Sequence, residues 1–193
     1  GQVTQYSYDE VGNLISTTTP EGNKSSAEYD DLNRAGSSTD ALSRVTAQEY
    51  DSLGRVIRTT YADGSSVSYT YDANGQVLTA TDEMGGVVSY TYDANGNRIG
   101  EEDENGAKTT FVYDALGRVV EVNGEEGHHY AYRYDGEGNL IEAEDALGNT
   151  VSMEYDGNGN LIKETNQLGE SRSYAYTPLG DVESITDEAG RIT

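Results

Sequence analysis

Residues 66–96 read SVSYTYDANGQVLTATDEMGGVVSYTYDANG, a stretch that contains nearly the same ten residues twice, 21 residues apart. The same spacing runs along the whole chain. Tyr-Asp dipeptides begin at Tyr8, Tyr29, Tyr50, Tyr71, Tyr92, Tyr113, Tyr134 and Tyr155, and Tyr176 continues the series with Thr177 in place of Asp. Self-similarity at a fixed period indicates a repeat array. Because no insertion interrupts the nine units, we expect residues 1–193 to form a single array.

Two turn signals recur in every unit, about ten residues apart. One has the form DxxG and starts at the Asp after Tyr, as in Asp72 to Gly75, and the other resembles Asp82 to Gly85. Asp accepts backbone N–H bonds within a turn, and Gly closes a turn at positive φ. The predicted turn glycines after Tyr-Asp are Gly12, Gly54, Gly75, Gly96, Gly117, Gly138, Gly159 and Gly180. Two turns in 21 residues leave two strands of about six residues, so each unit is predicted to be a β-hairpin.

The strand residues alternate between two kinds of side chain. Val67, Tyr69 and Tyr71 fall on one face, and the small polar residues between them fall on the other. An aliphatic pair such as Val77-Leu78 begins the partner strand in most units. The predicted fold class is therefore all-β: nine tandem hairpins in a continuous antiparallel strip whose twist curls it into a spiral or solenoid-like arc. The tyrosines form a structural ladder along it.

One unit departs from the pattern. From Tyr29 to Glu49, Ala35 and Gly36 replace the aliphatic pair, and Gln48 stands where Tyr or Phe is usual. Asn33 and Ser43 close its two turns in place of glycine. We expect this unit to be the weakest stretch of the array. Strand edges at both ends of the array need cover, so we also expect the chain to be a segment of something longer.

The strings YDANGQVL, YDALGRVV, YDGEGNLI and YDGNGNLI carry a family resemblance. A YDxxGN or YDxxGR turn followed by an aliphatic pair resembles the YD-repeat or RHS (rearrangement hotspot) family, and the resemblance covers the whole chain. It implies a strip of β-hairpins that spirals into a hollow shell, as in bacterial RHS toxins, the BC component of insecticidal toxin complexes, and teneurins. In the toxins the shell encloses a toxic domain. The Tyr of each dipeptide carries over as a structural residue, not a catalytic one.

The resemblance also sets the expected role and location. Nine units are fewer than a closed shell needs, so we expect a section of shell wall from a large exported or surface protein of bacterial origin. Expected partners are further YD repeats or copies of the chain, and an enclosed cargo domain. The alternative is an extracellular filament or adhesin that assembles end to end through open strand edges. A carbohydrate-binding module is a third reading.

Charge and composition exclude several other classes. The formal charge of -23 excludes an autonomous nucleic-acid binder, which needs a basic surface. No apolar run is long enough to cross a bilayer, so we expect no membrane insertion. The absence of Cys excludes disulfide-stapled scaffolds and thiolate metal sites.

Catalytic, cofactor and metal sites are not expected either. The two histidines, His128 and His129, are adjacent, and their side chains point oppositely along a strand. The segments Asp93–Asn97 and Asp156–Asn160 place oxygen ligands at alternating positions, as a calcium loop begins, but neither completes the loop pattern. Turn formation explains both, and we predict neither a metal nor a cofactor.

The segment GEEGHHY, residues 124–130, is the other unusual stretch. His128 and Tyr130 share a face with Tyr132 and Tyr134, which allows either a ligand patch that stacks on a sugar ring or an aromatic-rich rung of the ladder. We favour the rung, and overall a non-enzymatic structural scaffold.

Overall fold

The computed structural model describes residues 3–193, with the side chain of Glu126 excepted. Eighteen short strands belong to one sheet, which confirms the predicted all-β hairpin array. The strands are β1 (Gln5–Tyr8), β2 (Leu14–Thr18), β3 (Lys24–Tyr29), β4 (Ala35–Thr39), β5 (Val45–Tyr50), β6 (Val56–Thr60), β7 (Ser66–Tyr71), β8 (Val77–Thr81), β9 (Val87–Tyr92), β10 (Arg98–Glu102), β11 (Lys108–Tyr113), β12 (Val119–Asn123), β13 (His129–Tyr134), β14 (Leu140–Glu144), β15 (Thr150–Tyr155), β16 (Leu161–Thr165), β17 (Ser171–Tyr176) and β18 (Val182–Thr186).

Helix is confined, within residues 3–193, to one turn of 3-10 helix at Glu125–Gly127. A membrane-spanning helix needs about 20 apolar residues. The described part of the chain contains no helix of that length and character. The chain divides into two compact units, one ending at Tyr90 and the other beginning at Thr91. Both are built in the same way: each strand pairs antiparallel with its neighbours in sequence, as β7 does with β6 and β8 and β13 does with β12 and β14.

A β-bulge recurs beside the tyrosine at the end of the first strand of these hairpins. In the hairpin β7–β8, Thr70 is opposite Thr79, but Tyr71 is opposite Val77, so the register skips Leu78. Two residues of one strand thus face a single tyrosine of the other. The same shift recurs in the hairpins of both units. It explains why two consecutive aliphatic residues interrupt the alternation at this point of every regular unit.

Cross-strand pairing places the aromatic residues on one sheet face. Tyr69 on β7 is opposite Ala80 on β8, and Ala80 is in turn opposite Val88 on β9. Because side chains alternate along a strand, Tyr71 lies on the same side as Tyr69. Their ring centroids are 6.5 Å apart with the planes tilted by 40°, a favourable arrangement for an aromatic pair.

Burial is shallow, since none of the residues from 3 to 193 whose side chains are described is fully enclosed. The ladder tyrosines from Tyr29 to Tyr176 are half-buried, whereas Tyr8 on β1 is 59% exposed. The tyrosines therefore pack against neighbours within the sheet and do not form an enclosed core between two layers. Leucines at the tips of turns are largely exposed, for example Leu53 and Leu116. Turns, hydrogen bonds and sideways packing must supply most of the stability.

Candidate functional site: the YD turn and its contacts

The YD turn is held by its aspartate. In the turn from Asp72 to Gln76, the backbone N–H of Asp72 donates to the carbonyl of Gln76 at 2.9 Å, and the N–H of Gly75 donates to the carbonyl of Asp72 at 3.3 Å. The Asp72 carboxylate oxygen Oδ1 accepts the N–H groups of Asn74 and Gln76, both at 2.8 Å. One side chain thus satisfies two backbone donors of the turn, which is the physical reason for Asp at this position.

The residue that closes this turn adopts the left-handed backbone conformation. Gly75 has φ of 90°, a conformation that costs other residues because of their Cβ atom. The sequence-predicted turn glycines have φ between 77° and 99°: Gly12, Gly54, Gly75, Gly96, Gly117, Gly138, Gly159 and Gly180. Asn33 at 60° and Ser43 at 64° occupy equivalent places without being glycine. The residue that closes each of these turns therefore repeats the same left-handed backbone conformation.

The YD tyrosine uses its hydroxyl as well as its ring. The hydroxyl of Tyr71 donates to the backbone carbonyl of Val56 in the preceding repeat at 2.7 Å. Equivalent bonds, each spanning fifteen residues, run from Tyr29 to Leu14, Tyr50 to Ala35, Tyr113 to Arg98, Tyr134 to Val119 and Tyr176 to Leu161. Tyr92 and Tyr155 end β9 and β15 at the corresponding position. The tyrosine therefore joins one hairpin to the hairpin before it.

An arginine one residue after the turn glycine makes the complementary contact forward along the chain. Arg55 donates through Nε to Oδ2 of Asp51 at 2.6 Å and through Nη1 to the carbonyl of Asp72 at 2.8 Å. Its guanidinium carbon lies 4.5 Å from the centroid of the Tyr71 ring. Arginine is suited to this double role because its planar guanidinium group donates several hydrogen bonds and also stacks on aromatic faces.

The same arginine bridge recurs twice more. Arg34 contacts Asp30, the carbonyl of Asp51 and the ring of Tyr50. Arg118 contacts Asp114, the carbonyl of Asp135 and the ring of Tyr134. This bridge was not among the sequence-based predictions, although the arginine of the YDxxGR turn is the residue that signals it.

Asparagine at the same position makes a shorter connection. Asn139 donates through Nδ2 to Oδ2 of Asp135 at 2.9 Å, and Asn160 does the same with Asp156. Asn13 also donates to Oδ1 of Asn33 in the next turn at 2.9 Å. The asparagine of a YDxxGN turn thus bonds the aspartate of its own turn, and Asn13 also reaches the next turn, whereas the arginine of a YDxxGR turn adds a cation–π contact to the next repeat.

Hydrogen bonding favours the charged form of two turn carboxylates, Asp30 and Asp156. The pKa of Asp30 is lowered from its ordinary value, first by the side-chain hydrogen bond of Arg34 and then by the backbone N–H of Arg34. The pKa of Asp156 is lowered first by the side-chain hydrogen bond of Asn160 and then by its backbone N–H. Both groups donate to the ionised form, which stabilises it relative to the protonated acid.

The two calcium-like segments are ordinary YD turns. Asp156 Oδ1 accepts the N–H groups of Asn158 and Asn160, and its Oδ2 accepts the Asn160 side chain. Asp93 is bonded to Asn95 and Asn97 in the same manner. Over the part of the chain that the structure describes, three His, Asp or Glu side chains do not converge on a common point. These carboxylates are oriented toward their own turns.

The two histidines have different surroundings. His129 at the start of β13 has Nδ1 2.7 Å from Oδ1 of Asn123, which is opposite it on β12. His128 lies exposed in the turn before the strand. Tyr130 is 40% exposed and faces Val122. The structure therefore brings His128 and Tyr130, but not His129, to the border of one open cavity.

Comparison with known proteins decides the family. The sequence profile of the Teneurin YD-shell family matches residues 1–113 and, overlapping them, residues 46–192. The chain belongs to the YD-shell family. Its repeats are those of a structural shell, and the geometry described above is the geometry of a YD-shell segment. No curated protein sequence matches the chain.

Solved toxin structures share the fold. The crystal structure of TcdB2-TccC3 superimposes with a TM-score of 0.77 at 18% identity, over 97% of this chain and 12% of that chain. The Photorhabdus luminescens Tc holotoxin pore with a variant TccC3 gives a TM-score of 0.59 at 14% identity, over 95% and 13% of the two chains. The YD-shell segment thus spans about an eighth of the length of these chains. At this identity the likeness is one of fold.

Proposed function

We propose that this YD-shell segment is a section of the wall of a larger β-hairpin shell that encloses a toxin or other cargo, and that its role is structural and not enzymatic. The Tyr71-to-Val56 bond and the Arg55 bridge carry the proposal, because each joins a repeat to its neighbour. Such contacts make a wall that grows by adding repeats. The ladder tyrosines and the turn glycines are its structural residues.

The size of the segment fits a part of a shell and not a whole one. It spans 12% of the TcdB2-TccC3 chain that it resembles in fold. We propose further YD repeats as its direct partners and a cargo domain as the enclosed partner. The wall belongs to a bacterial protein that is exported from the cell or anchored at its surface. The Tc holotoxin that shares its fold is a toxin, which supports export.

Electron microscopy of the native particle that contains this segment tests the proposal. We expect closed hollow particles with density inside them. Long regular fibres would overturn the shell and support the filament reading, in which strand edges pair between subunits. Solid particles without a lumen would overturn both.

Protease protection gives a second, independent test. Cargo inside an intact wall resists a protease that digests the same cargo when free. A particle with Tyr71→Ala and Arg55→Ala loses two contacts between repeats and should release this protection. The matched control is Leu116→Ser, which changes an exposed turn tip that is 73% accessible. Equal protection in both variants would contradict the assignment of these contacts to the wall's integrity.

A further inference from the structure

Asparagine precedes glycine at five places in the chain, Asn74, Asn95, Asn105, Asn123 and Asn158. In four of them the asparagine is the third residue of a repeat turn and the glycine closes it, whereas Asn123 ends strand β12. The backbone nitrogen of such a glycine can attack the carboxamide of the asparagine before it, because glycine has no Cβ atom that obstructs the approach. One reactive dipeptide thus occurs in two structural settings.

The strand setting protects both reacting groups. Asn123 is half-buried, and its Oδ1 lies 2.7 Å from Nδ1 of His129 on the neighbouring strand. The backbone N–H of Gly124 donates to the carbonyl of His128 at 2.7 Å. Attack at this position therefore requires the loss of contacts on both the carboxamide and the nitrogen, which costs free energy. The four turn asparagines are exposed.

The hydrogen bond on the attacking nitrogen differs among the four turns. The N–H of Gly75 donates to the carbonyl of Asp72 at 3.3 Å. The equivalent distance is 3.1 Å at Gly96 and 3.0 Å at both Gly106 and Gly159. Backbone hydrogen bonds usually measure about 2.7 to 3.2 Å, so the bond at Gly75 is weak. Its nitrogen is the one least restrained by the turn.

The charge beside each turn also favours Gly75. Loss of the N–H proton makes the attacking nitrogen negative, so a nearby cation promotes the reaction and a nearby carboxylate opposes it. A Cβ atom at Gly75 would lie 4.0 Å from Nη1 of Arg55. A Cβ atom at Gly106 would instead lie 3.9 Å from Oε1 of Glu102. The dipeptide at Asn74 therefore combines exposure, a weak hydrogen bond and a neighbouring positive charge.

We propose that Asn74 is a site of spontaneous modification, where the chain forms a succinimide and then aspartate or isoaspartate. Hydroxide removes the N–H proton of Gly75, and the nitrogen forms a bond to Cγ of Asn74. The Cγ–Nδ2 bond breaks, and the departing group takes a proton from water and leaves as ammonia, which regenerates hydroxide. Water then opens the ring. Cleavage between Cγ and the Gly75 nitrogen gives aspartate, and cleavage between the Asn74 carbonyl carbon and that nitrogen gives isoaspartate.

Isoaspartate would alter the turn, because its main chain runs through Cβ and Cγ and is longer by one carbon atom. The bonds from Gly75 to the Asp72 carbonyl and from Gln76 to Asp72 Oδ1 both span the altered link. The same Asp72 carbonyl accepts a hydrogen bond at 2.8 Å from Arg55 of the preceding repeat. Modification at Asn74 therefore weakens the turn and its connection to the neighbouring repeat, whether or not the wall encloses cargo.

Peptide mapping by tandem mass spectrometry tests the proposal on the full folded chain after storage at mildly alkaline pH. We expect Asn74 to convert about tenfold faster than Asn123, a ratio that corresponds to about one net hydrogen bond, with Asn95, Asn105 and Asn158 between them. An isoaspartate-specific methyltransferase labels the isoaspartate product. Equal rates at Asn74 and Asn123, or a faster rate at Asn105 than at Asn74, would overturn the proposal.

The unfolded chain is the control for effects of local sequence. In concentrated urea the contacts that distinguish the five positions are lost, and glycine follows the asparagine in all of them. We therefore expect the five rates to become similar. If the ranking of the folded chain persists in urea, the fold does not set it, and the proposal is wrong.

A pair of variants tests the consequence for stability. Asn74→Leu removes the site and is expected to fold, since Leu53 stands at the same position of its own turn. The matched control is Asn105→Leu, as Leu147 is at that position in another repeat. Storage should lower the urea midpoint of the parent chain and of Asn105→Leu, and should change that of Asn74→Leu much less. An equal loss in the two variants would overturn the assignment to Asn74.

Discussion

Two adjacent repeats, Tyr29–Glu49 and Tyr50–Thr70, differ greatly in sequence and little in backbone. The first lacks the aliphatic pair and both turn glycines, yet its hairpin keeps the bulged register, with Tyr29 opposite Ala35 as Tyr50 is opposite Val56. Arg34 bridges to Asp51 as Arg55 bridges to Asp72. The difference teaches that turn and bridge contacts are enough to define the hairpin.

The same two repeats differ in how the strand that ends each of them packs. Tyr69 places its ring 6.5 Å from that of Tyr71, which adds aromatic packing. At the equivalent position Gln48 instead accepts a hydrogen bond at 2.9 Å from the hydroxyl of Tyr50. Ala35-Gly36 also presents less apolar surface than Val56-Ile57. The expected difference between the repeats is therefore one of stability and not of topology.

The largest expected effect comes from removing the ladder tyrosine that follows each of these two repeats, Tyr71 or Tyr50. Tyr71→Ala deletes a ring packed against Tyr69 and Arg55, together with the hydroxyl bond to Val56. We expect the free energy of unfolding to fall by about 2–3 kcal/mol, below the range for a fully buried ring. Tyr50→Ala should cost about 1 kcal/mol less, because it has no ring neighbour at Gln48.

Urea denaturation of the two variants, followed by circular dichroism, measures this difference. A double-mutant cycle with Tyr69→Ala isolates the contribution of the ring pair. If Tyr50→Ala proves the more damaging change, aromatic packing is not what distinguishes the two repeats.

Restoring the aliphatic pair should strengthen the divergent repeat. A Cβ atom at Gly36 would meet only the carbonyl oxygen of Glu28, at an ordinary contact distance of 3.9 Å. Gly36→Ile removes a flexible residue from a strand and adds apolar area, so we expect a gain of about 1–2 kcal/mol in the free energy of unfolding.

A second strand glycine, at a different position of its repeat, should respond in the opposite direction. At Gly100 on β10, a Cβ atom would lie 2.5 Å from Oγ1 of Thr91. Gly100→Ala should therefore destabilise the chain by about 1–3 kcal/mol through overpacking. Thermal unfolding of both variants measures whether Gly36→Ile gains stability and Gly100→Ala loses it. A loss of stability in Gly36→Ile would refute the view that the divergent repeat is underpacked.

Replacing the bridge arginine should have a smaller effect, similar in the two repeats. Arg55→Asn keeps a partner for the turn aspartate, as Asn139 does for Asp135, but loses the bond to the Asp72 carbonyl and the contact with the Tyr71 ring. We expect a cost of about 1 kcal/mol, and the same for Arg34→Asn. Chemical denaturation measures both, and strongly unequal costs would show that the two bridges are not equivalent.

Acid should weaken both turns, with the smallest effect of the series. The pKa of Asp30 is lowered first by the side-chain bond of Arg34, and the pKa of Asp51 first by the backbone N–H of Arg55. A depressed pKa stabilises the fold fully above the unfolded value of about 3.9, and this contribution is lost as the pH falls through the folded pKa.

Asparagine substitution removes the titration and keeps the hydrogen-bond acceptor, as Asn166 does for Leu168 and Glu170. Asp30→Asn and Asp51→Asn should each show a flatter dependence of the unfolding midpoint on pH between about 5 and 3 than the parent chain. Comparison with the parent cancels the general effect of lowering the net charge, and Glu137→Gln is the control for loss of an exposed carboxyl. If the unfolding midpoint of both variants depends on pH as it does in the parent chain, groups other than Asp30 and Asp51 cause the acid sensitivity.

The repeat period was sufficient to predict the hairpin array, because turn chemistry and strand alternation are local properties. Asp72 and Gly75 specify a turn within five residues, and the 21-residue spacing then fixes the number of strands. The family followed from the same motif. The curling of the strip stays a prediction, since it depends on small twists summed over many strands.

Other features could not be predicted from the sequence, because they depend on the register between neighbouring strands and hairpins. The bulge at Leu78 shifts the strand by one residue, so an alternating pattern alone does not reveal which residues face Tyr71. The Arg55 bridge joins groups seventeen residues apart in sequence.

Because none of the side chains described between residues 3 and 193 is fully enclosed, such a chain can change in length during evolution without rebuilding a core. Each hairpin meets its neighbours through the same few atoms: a tyrosine hydroxyl, a turn carbonyl and a turn side chain. Duplicating or deleting one unit in frame therefore presents the flanking units with contacts that they already make. Unequal recombination within the coding sequence can therefore lengthen or shorten the array by whole units.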